Sequence, residues 1–472
     1  MGWRPRERMR AAGAVSIDCR PAGGPLRNDK SEARDDSRKL GLWSAAALVV
    51  GHTIGVGIFL TPAELIGALA SPALTLGLWL LCGLAVVFGA LTFGELASRH
   101  PQAGGPYVYL RQAWGRRVAF LYGWQCLLIM DPGITASLAI GLSQYLVVIW
   151  PGAAGRERWV ALATVWALAL LNMAGLELST RLLNVLTAGK VLALAAIVAA
   201  ALAVGAGSWT HFEPFFARRS GSLPLVQALA LGLTGAFYSF GGFWEVSRVA
   251  GEVREPRREL PRALALGVAV ITAAYLLTTV SFVYLVPPER TTSASEFARR
   301  AGEALLGPSG APALAAVVVL SVVASAMALL FMAPRVYLAM SRDGLFPAAL
   351  AALHPSTQAP ARATVLLAAI ASLFVLSGTF PQIVAFFMCT TLAFVALAAA
   401  GLFVLRRREP GEDGFRAPGY PATPALFVLL VAAVVVLIAV ARPLQALAGV
   451  GLVLLGVPVY RVVAGAGASS NG

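Results

Sequence analysis

Twelve apolar stretches, set off from one another by glycines, prolines and charges, dominate what this chain can become. They run over 42–68, 74–97, 117–148, 159–176, 181–205, 224–250, 262–286, 310–340, 362–380, 382–405, 421–441 and 443–463. A helix needs roughly 20 apolar residues to cross a ~30 Å hydrocarbon layer, and tilt absorbs the excess length of the longer ones. Composition points the same way: 58% of the 472 residues are hydrophobic and only 13% are charged, with a mean hydropathy of +0.75. A soluble domain carries about 25% charged residues. These values exclude a soluble enzyme, a disordered chain and a disulfide scaffold. An outer-membrane barrel is disfavoured too, because its strands alternate and give no long apolar runs. The expected class is an all-α integral membrane protein with 12 transmembrane helices.

The net charge of +14 could indicate a nucleic-acid partner, but its placement argues for orientation instead. If the first span starts near Leu40 with the N-terminus inside, the outer loops hold eight of the 37 basic residues. These are Arg156, Arg158, Arg218, Arg219, Arg290, Arg299, Arg300 and Arg442. Lys190 falls inside a span, and the other 28 lie in the tail and the inner loops and ends. That is the positive-inside bias, which puts both termini in the cytoplasm. Residues 1–39 contain no apolar run, so no cleavable signal peptide is expected. They read as a disordered cytoplasmic tail. Cys19, Cys82, Cys126 and Cys389 show neither disulfide nor metal spacing, and His52, His100, His211 and His354 are too scattered to bind a metal. No cofactor is expected.

Two spans look broken. The first carries Gly55-Val56-Gly57 roughly 20 Å from its start, near the middle of the bilayer. The sixth carries Gly241-Gly242 within Phe237-Tyr238-Ser239-Phe240-Gly241-Gly242-Phe243-Trp244. A glycine costs about 1 kcal/mol in a helix interior. Close packing through small residues explains such glycines in many membrane helices. A second reading rests on position: spans one and six open two units of five, 1–5 and 6–10. Interrupted helices at corresponding positions point to a midplane site in an inverted-repeat transporter. Freed N–H groups there can take a carboxylate and freed carbonyls an ammonium.

The residues around these breaks match a known pattern. Gly51-His52-Thr53-Ile54-Gly55-Val56-Gly57-Ile58-Phe59-Leu60-Thr61-Pro62 resembles the first helix of the amino acid–polyamine–organocation (APC) transporters. Gly94-Glu95-Leu96-Ala97, Pro101 and Gly104-Gly105-Pro106-Tyr107 are similar to that family's second helix and first inner loop. The run from Ala250 to Arg262, Ser341-Arg342-Asp343-Gly344-Leu345-Phe346-Pro347, and Gly456-Val457-Pro458-Val459-Tyr460 follow in the family's order. The resemblance implies a leucine-transporter (LeuT) type fold, a 5+5 inverted repeat with broken helices 1 and 6. Residues 40–405 would form the ten-helix transport core, and 406–472 helices 11–12 with a short cytoplasmic C-terminus. It further implies carriage of amino acids by alternating access, as proton-coupled symport or exchange. By position, Thr53, Ile54, Gly55, Val56 and Gly57 would bind the substrate's backbone groups. Tyr238, Ser239, Phe240, Gly241 and Gly242 would do so from the sixth helix, with Tyr238 and Phe243 as gates. Val56 and Phe243 replace more usual small polar or Gly-Trp residues, which favours a neutral or apolar substrate side chain. The loop from Pro151 to Arg158 lacks the cysteine by which eukaryotic relatives attach a glycoprotein subunit, so no disulfide-linked heavy chain is expected.

Ionisable groups inside spans are functional candidates by default. Lys190, about 13 Å into the fifth span, stands out in a chain that uses Arg for nearly all its positive charge. Snorkelling to the interface is one reading; by resemblance, its ammonium would bridge the first and eighth helices and couple transport to protons. Asp131, before Pro132 in the third span, could recognise a cationic substrate or polyamine, carry a proton, or satisfy backbone freed by the proline. Glu64 and Glu245 could line a vestibule or serve packing. Glu95 and the Arg/Glu pattern from Arg248 to Arg262 read as inner-end loop and gate contacts. A membrane enzyme is the rival class, but no carboxylate cluster, His pair or nucleotide loop supports it. A non-transporting sensor draws little support from a patternless tail. Arg- and Ala-heavy usage suggests a bacterial inner membrane.

Overall fold

Helix α1 (Leu42–Thr53) stops at the first glycine cluster, and α2 (Gly57–Leu69) restarts at an angle of 47° to it. The structure, a computed structural model, describes residues 40–173, 176–219, 222–287, 294–352, 354, 360–410 and 414–469. The expected tail over 1–39, with Cys19, lies outside the described residues. After α2 come α3 (Pro72–Arg99), the short α4 (Pro106–Trp114), α5 (Arg116–Gln125) and α6 (Asp131–Ile149). Then follow α7 (Glu157–Met173), α8 (Leu176–Ala203) and α9 (Leu225–Phe240), the last continued past the second break by a 3₁₀ segment, Glu245–Glu252. The remainder comprises α10 (Pro256–Leu285), α11 (Ala294–Leu306), α12 (Gly310–Arg342), α13 (Ala348–Ala351) and α14 (Ala361–Ser377). It ends with α15 (Phe380–Arg408), α16 (Ala422–Ala441), α17 (Pro443–Leu454) and α18 (Gly456–Ser469).

Among the described residues nine helical segments are long and apolar enough to cross a membrane, ten with the α1–α2 pair counted as one span. The stretches expected at 159–176 and 362–380 contain α7 and α14, helices of 17 residues each. Polar caps fix several starts. Ser71 accepts from Leu74 N ahead of α3, with Pro72 in the first turn, where its missing N–H costs nothing. Thr379 and Gln382 form a capping box on α15.

The third stretch, expected as a span over 117–148, is one helical segment, Arg116–Ile149, with an irregular turn inside it. Pro132 has no N–H to donate. The chain therefore passes through a π-helical turn, Cys126–Met130, before α6 opens at Asp131. That turn widens the helix and aims Asp131 into the protein, where it is fully buried.

Three of the main helix contacts join matching stretches, the second with the seventh, the third with the eighth and the fourth with the ninth, while α2 and α9 are opposite halves of the two broken stretches. Helix α2 lies on α9, α3 on α10, α6 on α12, and α7 on α14. The start of the first span is tied down by a parallel bridge, in which Leu40 N donates to Glu252 O at 3.0 Å and Arg254 N to Leu40 O at 2.9 Å. Nearby, buried Glu95 accepts from Arg406 Nη2 at 2.5 Å, Arg99 Nε at 3.0 Å and Ala417 N at 2.7 Å. These bonds staple α3 to α15 and to the loop beyond it.

Candidate functional site

The two glycine breaks face each other at the centre of the molecule. Gly57 packs so closely on α9 that an added Cβ would lie 2.6 Å from Ser239 Oγ and 2.9 Å from its Cα. Gly242 adopts φ +116°, a conformation open to glycine, and its Cβ would meet His52 Cδ2 at 2.6 Å. Only glycines allow both approaches. Tyr275 of α10 sits against both breaks, its hydroxyl 3.0 Å from Thr53 O and 2.6 Å from Ser239 O. Thr61 and Ser239 join hydroxyls at 2.8 Å.

Between the breaks lies a cavity of about 40 Å³, space for a few water molecules. Thr53, Gly55, Val56, Gly57, Tyr238, Ser239, Gly241 and Gly242 all line it. His52, Trp244, Glu245 and Ser325 share the wall with the apolar Val56, Ile134, Leu138, Phe387 and Met388. Four of these residues bring polar atoms with no hydrogen-bond partner: Thr53 Oγ1, His52 Nδ1, Trp244 Nε1 and both carboxylate oxygens of Glu245. Buried polar groups are normally paired, so this convergence marks the cavity as built for a polar guest. At the start of α2, Phe59 N and Leu60 N donate to Val56 O at 3.0 and 3.1 Å, and a helix leaves the N–H groups ahead of them without intrahelical partners.

Lys190 of α8 closes the site from behind. Its Nζ donates to the carbonyl of Gly51, to Ile54 O at 2.6 Å and to Ser325 Oγ at 3.0 Å. The side chain is buried, so it does not snorkel. It spans the first and eighth stretches, with Ser325 as the link to the cavity wall.

Three expected site residues point elsewhere. Ile54 contributes only its carbonyl, to Lys190, Ser321 and Ser325. Phe240 is packed edge-on against Trp79 and against Tyr275. Phe243, expected as a gate, is buried against Phe93 and Phe427. The turn at Gly242 faces Trp244 to the cavity in its place, so Phe243 does not set the polarity of the pocket.

Asp131 does not reach the cavity either. It accepts from Arg248 Nη1 at 3.1 and 3.4 Å and from Tyr337 Oη at 2.7 Å. Arg248 is completely buried, so Lys190 is not the lone base within the spans. Its Nε lies 2.7 Å from Glu245 Oε2, and the two carboxylates thus share one guanidinium. The sequence placed Arg248 in an Arg/Glu run read as inner-end loop and gate contacts, and gave no sign of its burial or of the role of Tyr275. The signal for Arg248 was its spacing of three from Glu245, one helical turn.

Tyr238 separates this cavity from a larger one of about 390 Å³, which it also lines. Its hydroxyl bonds Ser137 Oγ at 3.0 Å and its ring packs on Phe380 and Phe387. Glu64, Thr234 and Arg442 line the larger space. At the other end, where α1 begins, Asp343 ties the helices together. It accepts from Tyr107 Oη and Arg111 Nη1, both at 2.6 Å, while its carbonyl accepts from Arg116 Nη2 at 2.7 Å. Burial and the neighbouring Asp343 carboxylate raise the Tyr107 phenol above its ordinary pKa, so it stays a donor.

Two interrupted helices meeting at a polar cavity within an apolar helical bundle define a membrane permease. The chain belongs to the amino acid permease family of the APC superfamily, whose profile matches residues 40–458. It is similar to the rabbit (Oryctolagus cuniculus) b(0,+)-type amino acid transporter 1, 27% identical over 81% of this chain and 78% of that one. It is also similar to the human (Homo sapiens) large neutral amino acids transporter small subunit 2, 28% identical over 90% of this chain and 80% of that one. The human cystine/glutamate transporter is likewise 28% identical, over 90% and 84% of the two chains. The chain is an amino acid transporter of the membrane by family, and its relatives are transporters, not enzymes.

Proposed function

We propose that this protein is a secondary active transporter that carries amino acids across the cell membrane by alternating access. The substrate's α-carboxylate meets the N–H groups opening α2, and its α-ammonium meets the polar atoms around Thr53 and the α9 break. Twelve spans cross the bilayer, the first ten as two inverted units of five. The packing of α3 on α10, α6 on α12 and α7 on α14 supports that arrangement, since these are matching places in the two units. Both termini face the cytoplasm, as the Arg distribution argues, and the membrane is the plasma or bacterial inner membrane. Lys190 couples the cycle: its ammonium ties α8 to α1 and α12, and its proton is the coupling ion in symport. In the exchange mode, binding from the second side drives the return. No disulfide-linked subunit is needed, since the loop around Pro151–Ala153 carries no cysteine.

The observation that carries this reading is the set of unpartnered Thr53, His52 and Trp244 atoms converging where both helices break. Uptake of a labelled amino-acid panel into proteoliposomes, with and without a pH gradient or internal amino acid, tests it. Saturable uptake driven by either gradient is expected; no uptake of any amino acid would overturn the proposal.

A further inference from the structure

We infer that Glu245 selects the substrate's side chain, and that this side chain ends in a cationic nitrogen, an ammonium or a guanidinium. This rests on the proposed transport of amino acids and names the class.

Among the described residues Glu245 is the only acidic side chain that lines the central cavity, and it is 1% exposed. Neither of its oxygens makes a hydrogen bond; its one strong neighbour is Arg248 Nε at 2.7 Å, and that nitrogen is itself without a well-formed bond. The guanidinium is already engaged, with Nη1 on Asp131 and Nη2 on Cys126 Sγ at 3.4 Å. Asp131 in turn is satisfied by Arg248 and Tyr337. The buried group therefore holds two carboxylates against one guanidinium, with acceptor capacity left over on the cavity side. Lys190 forms no ion pair with either carboxylate among the described residues; its ammonium donates to the neutral acceptors of Gly51, Ile54 and Ser325.

A buried carboxylate that shares its one cation with a second carboxylate and has unmet acceptors is costly unless a partner supplies further charge and hydrogen bonds. A neutral amide or hydroxyl supplies only the hydrogen bond, and an aliphatic side chain neither. A cationic N–H group supplies both. The apolar wall of Val56, Ile134, Leu138, Phe387 and Met388 suits the methylene stem that carries such a group. The cavity is contracted here, so a stem of that length enters as Tyr238 gives way toward the larger space.

The test uses the full-length protein in proteoliposomes with labelled lysine, ornithine, glutamine and leucine, before and after Glu245→Gln. Wild type is expected to prefer lysine or ornithine to leucine by ~10-fold or more, the scale of one charge-assisted bond. Glu245→Gln is expected to lower uptake of lysine and ornithine ~10-fold more than uptake of glutamine and leucine, which erases the preference. A wild type that carries leucine or glutamine in preference to the cations overturns the inference and leaves amino-acid transport standing. Failure with every amino acid sinks both. Equal losses for all four substrates in Glu245→Gln also overturn it. Should that variant fail to fold, thermal shifts of the wild type settle the matter: stabilisation by lysine and ornithine over leucine supports the inference, and the reverse order ends it.

Discussion

Removing the ammonium of Lys190 takes away one donor group that holds two carbonyls and a hydroxyl beside the first break. Ser325 Oγ remains within 3.2 Å of Gly51 O and 3.1 Å of Ile54 O, so Lys190→Ala is expected to fold with a lowered melting temperature. Each buried acceptor that loses its bond costs about 1–3 kcal/mol. Uptake is expected to vanish, and Lys190→Arg is not expected to restore it, since a planar fork cannot present one point charge to three acceptors. Normal uptake by Lys190→Ala in proteoliposomes would refute the coupling role. Gly242→Ala tests the second break. It forces a Cβ into a φ of +116° and against His52, at about 1–3 kcal/mol, and is expected to lower both thermal stability and transport. Lys190 was legible in the sequence because a lone Lys among arginines within an apolar run needs a reason. Arg248 was not, because an Arg amid Glu and Arg reads as an inner-end loop contact until the fold turns it inward.

At the scale of the element, the glycine pairs announced both breaks. What lay beyond the sequence was the geometry after each break. The π-helical turn ahead of Pro132 turns Asp131 toward the 3₁₀ segment of the sixth stretch, across 117 residues of chain. No periodicity in one helix reveals a partner in another. The Asp131–Arg248–Tyr337 tie thus joins α6, the 3₁₀ segment and α12 in one buried contact. Taking one partner from a buried ion pair costs about 3–5 kcal/mol, because the other charge stays behind unpaired. Arg248→Gln leaves two buried carboxylates facing each other and is expected to be the more damaging change. Asp131→Asn keeps the bond from Tyr337 and leaves Arg248 beside Glu245, so its melting temperature is expected to fall less. Detergent-solubilised protein followed by thermal unfolding ranks them; an Asp131→Asn variant less stable than Arg248→Gln would contradict this account.

Across the whole molecule the two ends differ. The end where α1 begins is laced by the Leu40–Val253 bridge, by Arg335 Nε on Glu252 at 3.0 Å and by the contacts of Asp343. The other end holds the cavity of about 390 Å³ against Tyr238. In the proposed orientation, with both termini inside, the laced end lies in the cytoplasm and the larger cavity would face outward. Cysteine labelling reads this directly. Cys82, Cys126 and Cys389 are buried, and Cys19 can be replaced by Ser to clear the background. On that background Thr234→Cys, lining the larger cavity, is expected to react with a membrane-impermeant thiol reagent added outside intact cells. Ala339→Cys, on the laced end of α12 against Gly104, is expected to react only after the membrane is opened. The contrast depends on sidedness alone and not on which amino acid is carried. Labelling of Ala339→Cys from outside, with Thr234→Cys silent, would invert the topology and with it the direction in which Tyr238 opens.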